Sequence, residues 1–172
     1  MTRTEYELIY DAFKSHRYKM TDAQEVLSEK ILDDFANQMN YEIISFSSFY
    51  QSNLIYHTNV MMCLGNDFAL IGLETIKEVN EKEMIINSFE RTNKKIIEIS
   101  SDQIGSFAGN MLQVFGKESQ PLIVMSLTAL KSLNKNQIKD LEQHGELIFS
   151  DLSLIEKYGG GSARCMMAEI FF

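Results

Sequence analysis

Cys165 sits in the run GGGSARCM and His57 in the run IYHTNVMM. A thiol and an imidazole on separate strands are the smallest set that supports thiol catalysis. A cysteine without context is more often a small buried hydrophobe. The preceding Gly159, Gly160 and Gly161 shift that balance, because three residues without a Cβ let a ligand approach the main chain closely. If Ser162–Phe172 is a strand, Ala163, Cys165 and Met167 share one face. Arg164 then points to the other, where a salt bridge behind the site suits it. On a strand over Ile55–Leu64, His57, Asn59 and Met61 project together, a polar pair among apolar neighbours. Spacing alone does not establish that the thiol and the imidazole meet. Cys63 follows without a polar companion and reads as core. His144 lies near the end of an amphipathic helix, where the helix dipole is explanation enough.

The elements that must position these residues follow a repeated order. A helix begins near Thr21, with Val26, Leu27, Ile31, Leu32, Phe35 and Met39 at helical spacing. Tyr41–Phe46 and Ile55–Leu64 read as strands and Asp67–Leu73 as a third apolar run. Glu78–Arg91 returns to helix, Ile96–Ile99 is a short strand, and Ser100–Phe107 makes one helical turn or two. Asn110–Phe115 and Leu122–Met125 are then strands around a turn at Gly116–Gln120. Asn134–His144 is a helix with Ile138 and Leu141 inward, and Leu147–Phe149 is a strand. Two strands, a helix and a strand thus occur about twice, which gives an α/β class with short mixed strands. Residues 1–20 fit this order poorly and read as a separate, helical segment ahead of one domain, 21–172.

Composition excludes several functions. The 172 residues carry 16 basic and 24 acidic side chains, a formal net charge of −8. A nucleic-acid binder would concentrate Lys and Arg on one face. Here Lys131, Lys135 and Lys139 are spaced as a solvated helix face. Hydrophobic residues make up 45% of the chain, too many for a disordered one. Two cysteines cannot make a disulfide framework, and no metal-ligand spacing occurs, so neither metal nor cofactor is expected. The N-terminus is studded with charge, and the apolar runs have strand length, which argues against a membrane span. The expected compartment is the reducing cytoplasm.

Three segments, IYHTNVMM at 55–62, FAGNML at 107–112 and GGGSARCMMAEIF at 159–171, resemble the C-terminal half of an arginine deiminase-related hydrolase. The nearest branch is the citrulline-utilisation hydrolases of the guanidino-group-modifying, or pentein, superfamily. The resemblance runs from about Thr21 to the end. It implies an α/β propeller of ββαβ modules, here about half of a five-module ring. It implies Cys165 as nucleophile on a guanidinium or ureido carbon, and His57 as the acid and base. Asn59, Gly160 and Gly161 would line the substrate. Many guanidinium-acting members carry an Asp two residues after the histidine. Asn59 replaces it here, and a neutral amide suits a ureido group better than a buried cation. The resemblance therefore implies hydrolysis of citrulline to ornithine, CO2 and ammonia, with arginine deiminase or amidinotransferase chemistry as the alternative. The family's N-terminal acidic substrate motif has no counterpart in this sequence. Half a ring would expose strand edges and apolar faces, so a homo-oligomer or a companion N-terminal half is expected, or a subunit acting only in assembly.

Overall fold

The computed structural model describes residues 8–11, 22–55 and 57–168. The chain divides into two compact units, Met1–Thr58 with Ile76–Ile85 and Asn59–Thr75 with Ile86–Phe172.

In the first unit β1 (Leu8–Asp11) precedes the long helix α1 (Asp22–Met39) and β2 (Ile43–Phe46). The expectation of a helix before Thr21 is corrected for these four residues. The run LIYD pairs in parallel with β2, Leu8 opposite Ile43 and Asp11 opposite Phe46. The remainder of 1–20 lies outside the described residues. Ile44 and Phe46 of β2 are buried in the alternation a strand requires. β3 (Phe49–Tyr50) and β4 (Asn53–Leu54) form a hairpin through Gln51 and Ser52, both at positive φ, the backbone of a tight two-residue reversal. Of the predicted apolar stripe on α1, Leu32 is half-buried and three residues are exposed. Ile31, Phe35 and Met39 are 60%, 47% and 48% exposed, while Ala36 is buried.

The second unit holds two three-stranded sheets of one topology. In the first, β6 (Phe68–Ile71) lies antiparallel to β5 (Met62–Leu64) and parallel to β7 (Lys95–Glu98); between β6 and β7 the chain forms α2 (Val79–Arg91), of which Val79–Ile85 belongs to the first unit. After the short α3 (Ser101–Gly105) the pattern returns. In the second sheet, β9 (Pro121–Ser126) lies antiparallel to β8 (Leu112–Phe115) and parallel to β10 (Glu146–Ser150). Here α4 (Leu127–Ser132) and α5 (Lys135–Glu142) fill the crossover, and α6 (Ser153–Gly159) follows. Every residue of β6 is buried, which is why Phe68–Ile71 reads as a continuous apolar run instead of an alternation. Among the described residues the strands form four small sheets and none closes on itself, so the structure shows a mixed α/β fold without a ring.

Buried amides join the two sheets. Gln113 accepts the Asn66 N–H at 2.7 Å and donates to the His144 carbonyl at 2.8 Å. Gln137 donates to the Glu98 carbonyl at 2.7 Å and accepts the Asn134 N–H at 2.8 Å, completing a capping box on α5. The ring of His144 lies 5.0 Å from that of Phe68, so packing adds to the dipole reading of that histidine. Cys63 is buried, as expected of a core thiol. Among the described residues no helix is long and apolar enough to cross a membrane.

Two expected strands are corrected. Within Ile55–Leu64, Thr58–Val60 is a 3-10 turn and the strand starts only at Met62. Within Ser162–Phe172, Ala163–Met166 is a 3-10 turn. In the latter the Cys165 N–H bonds back to the Ser162 carbonyl at 3.1 Å, so a local i to i+3 bond takes the place of a strand ladder. The last four residues lie outside those described.

Candidate active site

The turn that carries Cys165 is built from α6 onward. Asp151 accepts the Ser153 N–H at 3.0 Å and holds the start of the helix, and that bond, chiefly, sets its carboxyl below the usual range. At the other end Gly160 adopts φ 71°, the left-handed cap that favours glycine. An added Cβ there would meet nothing within 4 Å. Gly161 is different. A Cβ on it would lie 2.9 Å from the Cys165 Cβ and 3.0 Å from Sγ. The bulk excluded at Gly161 is therefore that of Cys165 itself.

Buried Ser162 then donates its hydroxyl to the buried Glu156 carboxylate at 2.7 Å. This bond ties the first residue of the cysteine turn to α6. The sulfur that emerges is exposed and unpaired with any second cysteine. Because the segment is a turn, the predicted shared face of Ala163, Cys165 and Met167 does not exist. Ala163 is buried and Met167 exposed. Among the described residues Arg164 makes no ion pair; its backbone N–H reaches the Asn110 carbonyl at 3.4 Å.

Two asparagines meet the thiol. Asn59 Nδ2 lies 3.9 Å from Cys165 Sγ, although the residues are 106 apart in sequence. Asn110 Nδ2 lies 3.3 Å from the same sulfur and 3.1 Å from the Asn59 carbonyl oxygen. Asn110 is buried, and among the described residues its Oδ1 has no hydrogen-bond partner. Gly109 makes this approach possible, because a Cβ there would stand 2.5 Å from the Val60 carbonyl oxygen. The sequence segment FAGN thus presses directly against the backbone that follows Asn59. The motif was visible in the sequence, but nothing in its type or spacing distinguished Asn110 from an ordinary turn asparagine.

His57 lies in the first unit, exposed, immediately before the 3-10 turn Thr58–Val60. The turn overturns the expectation that His57, Asn59 and Met61 project from one strand face: Met61 is buried and Asn59 partly exposed. Among the described residues no group of three or more His, Cys, Asp or Glu side chains is placed to hold a metal ion. An open groove lined by Leu130, Ile138, Gly145, Leu147 and Phe149 includes none of the site residues. What the second unit offers chemically is an exposed sulfur beside two neutral amide donors, an arrangement suited to a sulfur that carries negative charge.

A family model described as N,N dimethylarginine dimethylhydrolase, eukaryotic, matches residues 18–172. No curated protein gives a significant match. Among solved structures, the apo form of ArgZ, an arginine dihydrolase from the ornithine-ammonia cycle in Cyanobacteria, is similar with a TM-score of 0.58 at 19% identity, over 77% of this chain and 19% of that one. The N-terminal domain of ArgZ, as a cysteine-to-serine mutant bound to substrate, gives 0.55 at 19% identity over 77% and 44%. AgrE in a ternary complex with ornithine and NAD+ gives 0.53 at 19% identity over 78% and 18%. The chain spans less than half the length of each of these structures.

Proposed function

The chain belongs to the N,N-dimethylarginine dimethylhydrolase family, and from that premise we propose that it hydrolyses a carbon–nitrogen bond of a guanidino or ureido amino acid through Cys165. The observation that carries the reading is the exposed Cys165 sulfur with the Asn110 and Asn59 amides directed at it. In the proposed reaction the sulfur attacks the central carbon of the substrate's terminal group. The carbon–nitrogen bond breaks and the amine departs with a proton from His57. Water, deprotonated by His57, then cleaves the carbon–sulfur bond and restores the thiol. His57 is assigned this role from the family resemblance and from its place two residues before Asn59 in the sequence.

Citrulline is the substrate that Asn59 favours, since its neutral ureido group accepts and donates hydrogen bonds without leaving a cation unpaired. The products are ornithine and a carbamoyl group that leaves as CO2 and ammonia. A second reading, hydrolysis of arginine or a methylated arginine, is favoured by the family description, which names dimethylarginine. In either case Gly160 and Gly161 are assigned to the substrate side from the family resemblance, and the absence of a Cβ at Gly161 leaves room for the Cys165 side chain. A cytoplasmic setting would keep the two cysteines reduced. The pentein ring, of which the two like sheets would be neighbouring modules, calls for further modules from a second copy or a companion chain. The exposed Ile31, Phe35 and Met39 are consistent with such a partner.

The test is incubation of the protein with citrulline, arginine and N,N-dimethylarginine separately, with ornithine, citrulline, ammonia and dimethylamine measured. Ornithine from citrulline supports the first reading. Citrulline with ammonia or dimethylamine supports the second. Loss of product in Cys165→Ser supports the mechanism in both. Absence of product from all three, in folded protein across a range of concentrations, overturns the enzyme reading in favour of an assembly role.

A further inference from the structure

We infer that the Asn110 side-chain amide is itself a catalytic group, a fixed donor that holds negative charge on the Cys165 sulfur during attack and release. The inference rests on the reading of Cys165 as the nucleophile. Its first support is the orientation of the amide. The atom of Asn110 that lies 3.1 Å from the Asn59 carbonyl oxygen must be the nitrogen, because a carbonyl has no hydrogen to give. The same NH2 group lies 3.3 Å from Sγ. One hydrogen is therefore committed to Asn59, which fixes the amide plane, and the other is left for the sulfur.

The second support is what the side chain gives up. Asn110 is only 4% exposed, and its Oδ1 is buried with no partner among the described residues. A side chain kept solely to fill this position would avoid a buried acceptor without a donor, and an apolar residue of similar shape would do so. A rigid donor aimed at the sulfur gives the cost a function, as donors placed in advance where charge develops do in other sites. The main chain adds to the fixing: the Asn110 carbonyl takes the Arg164 N–H at 3.4 Å, on the residue next to Cys165. Asn59, at 3.9 Å, is the weaker of the two donors in this structure.

The sulfur's charge can be read without any substrate. Iodoacetamide alkylates thiolates, and buried Cys63 serves as an internal control for loosening of the fold. Loss of one hydrogen bond to a charged group predicts that Asn110→Ala slows alkylation of Cys165 at neutral pH by about 10-fold, with Cys63 still protected. Asn110→Asp, similar in shape but carrying an acceptor where the donor was, is expected to slow it further. Asn59→Ala is expected to change it by only about 2-fold, in keeping with its longer contact. An alkylation rate unchanged in both Asn110 variants overturns the inference. So does Cys63 becoming reactive in both, which makes Asn110 a packing residue. Because alkylation needs no turnover, an Asn110 effect in a protein that hydrolyses none of the three substrates retains the inference for the thiol and removes the proposed function. Turnover by the parent chain with no Asn110 effect does the reverse.

Discussion

Replacing each of the three consecutive glycines by alanine should give three different outcomes, the largest at Gly161. Its added methyl carbon would stand 2.9 Å from the Cys165 Cβ and 3.0 Å from Sγ. Carbon atoms in contact prefer about 3.5–4.0 Å. Relief therefore requires the cysteine side chain or its turn to move by roughly 0.5–1 Å. The turn resists, because the Cys165 N–H is bonded to Ser162 and Ser162 to buried Glu156. A nucleophile misplaced by about 1 Å commonly costs ~100-fold in turnover. Overpacking of this kind costs about 1–3 kcal/mol of stability, or ~2–10 °C in a domain of this size. Gly160→Ala places its methyl in open space but in the left-handed region, so it should cost about 1–2 kcal/mol and leave the sulfur in place. Gly159→Ala meets only the Ile155 Cγ2 at 3.7 Å, ordinary contact, and should be neutral or stabilising by about 0.4–1 kcal/mol. The assay is thermal unfolding of each variant together with Cys165 alkylation and turnover of whichever substrate the parent hydrolyses. Full Cys165 reactivity and turnover in Gly161→Ala, or an equal loss in all three variants, would refute the steric account.

Ser162→Ala should destabilise the protein by about 1–3 kcal/mol, since it removes the hydroxyl on which the buried Glu156 carboxylate depends; denaturant unfolding measures it, and Glu156→Gln, which keeps an acceptor, should lose less. Gln137→Leu should cost about 2–4 kcal/mol, because it strips partners from the Glu98 carbonyl and the Asn134 N–H at once, and hydrogen exchange at Asn134 should speed up with it. Asp151 has its carboxyl held below the usual range by the Ser153 N–H, so its support of α6 is present above the ordinary carboxylate pKa and is lost as pH falls through the lowered value. The Ser153 amide resonance should report that loss in acid, and Asp151→Asn should flatten the response.

Much of this protein was legible in its residues. The apolar run at Phe68–Ile71 and the helices that precede β7 and β10 are dictated locally, by side-chain periodicity. Cys165 and Asn59 were singled out by type and setting, and the structure brings Asn59 to the sulfur across 106 residues. Other features were decided only by tertiary structure. Apolar content made Ile55–Leu64 and the region of Cys165 look like strands, but a strand needs a partner edge. These segments instead close local turns at Thr58–Val60 and Ala163–Met166, the second held by the Cys165 N–H on the Ser162 carbonyl. The run of glycines announced room for something, but only the fold shows that Gly161 makes room for the cysteine and Gly160 for a left-handed cap. Asn110 lay inside the FAGNML segment that carried the resemblance, but neither its type nor its spacing gave it a role. A buried amide acquires meaning from what lies 3.3 Å away, and sequence holds no such distance, because it fixes local conformation while the meeting of FAGN with the cysteine turn is set by long-range packing.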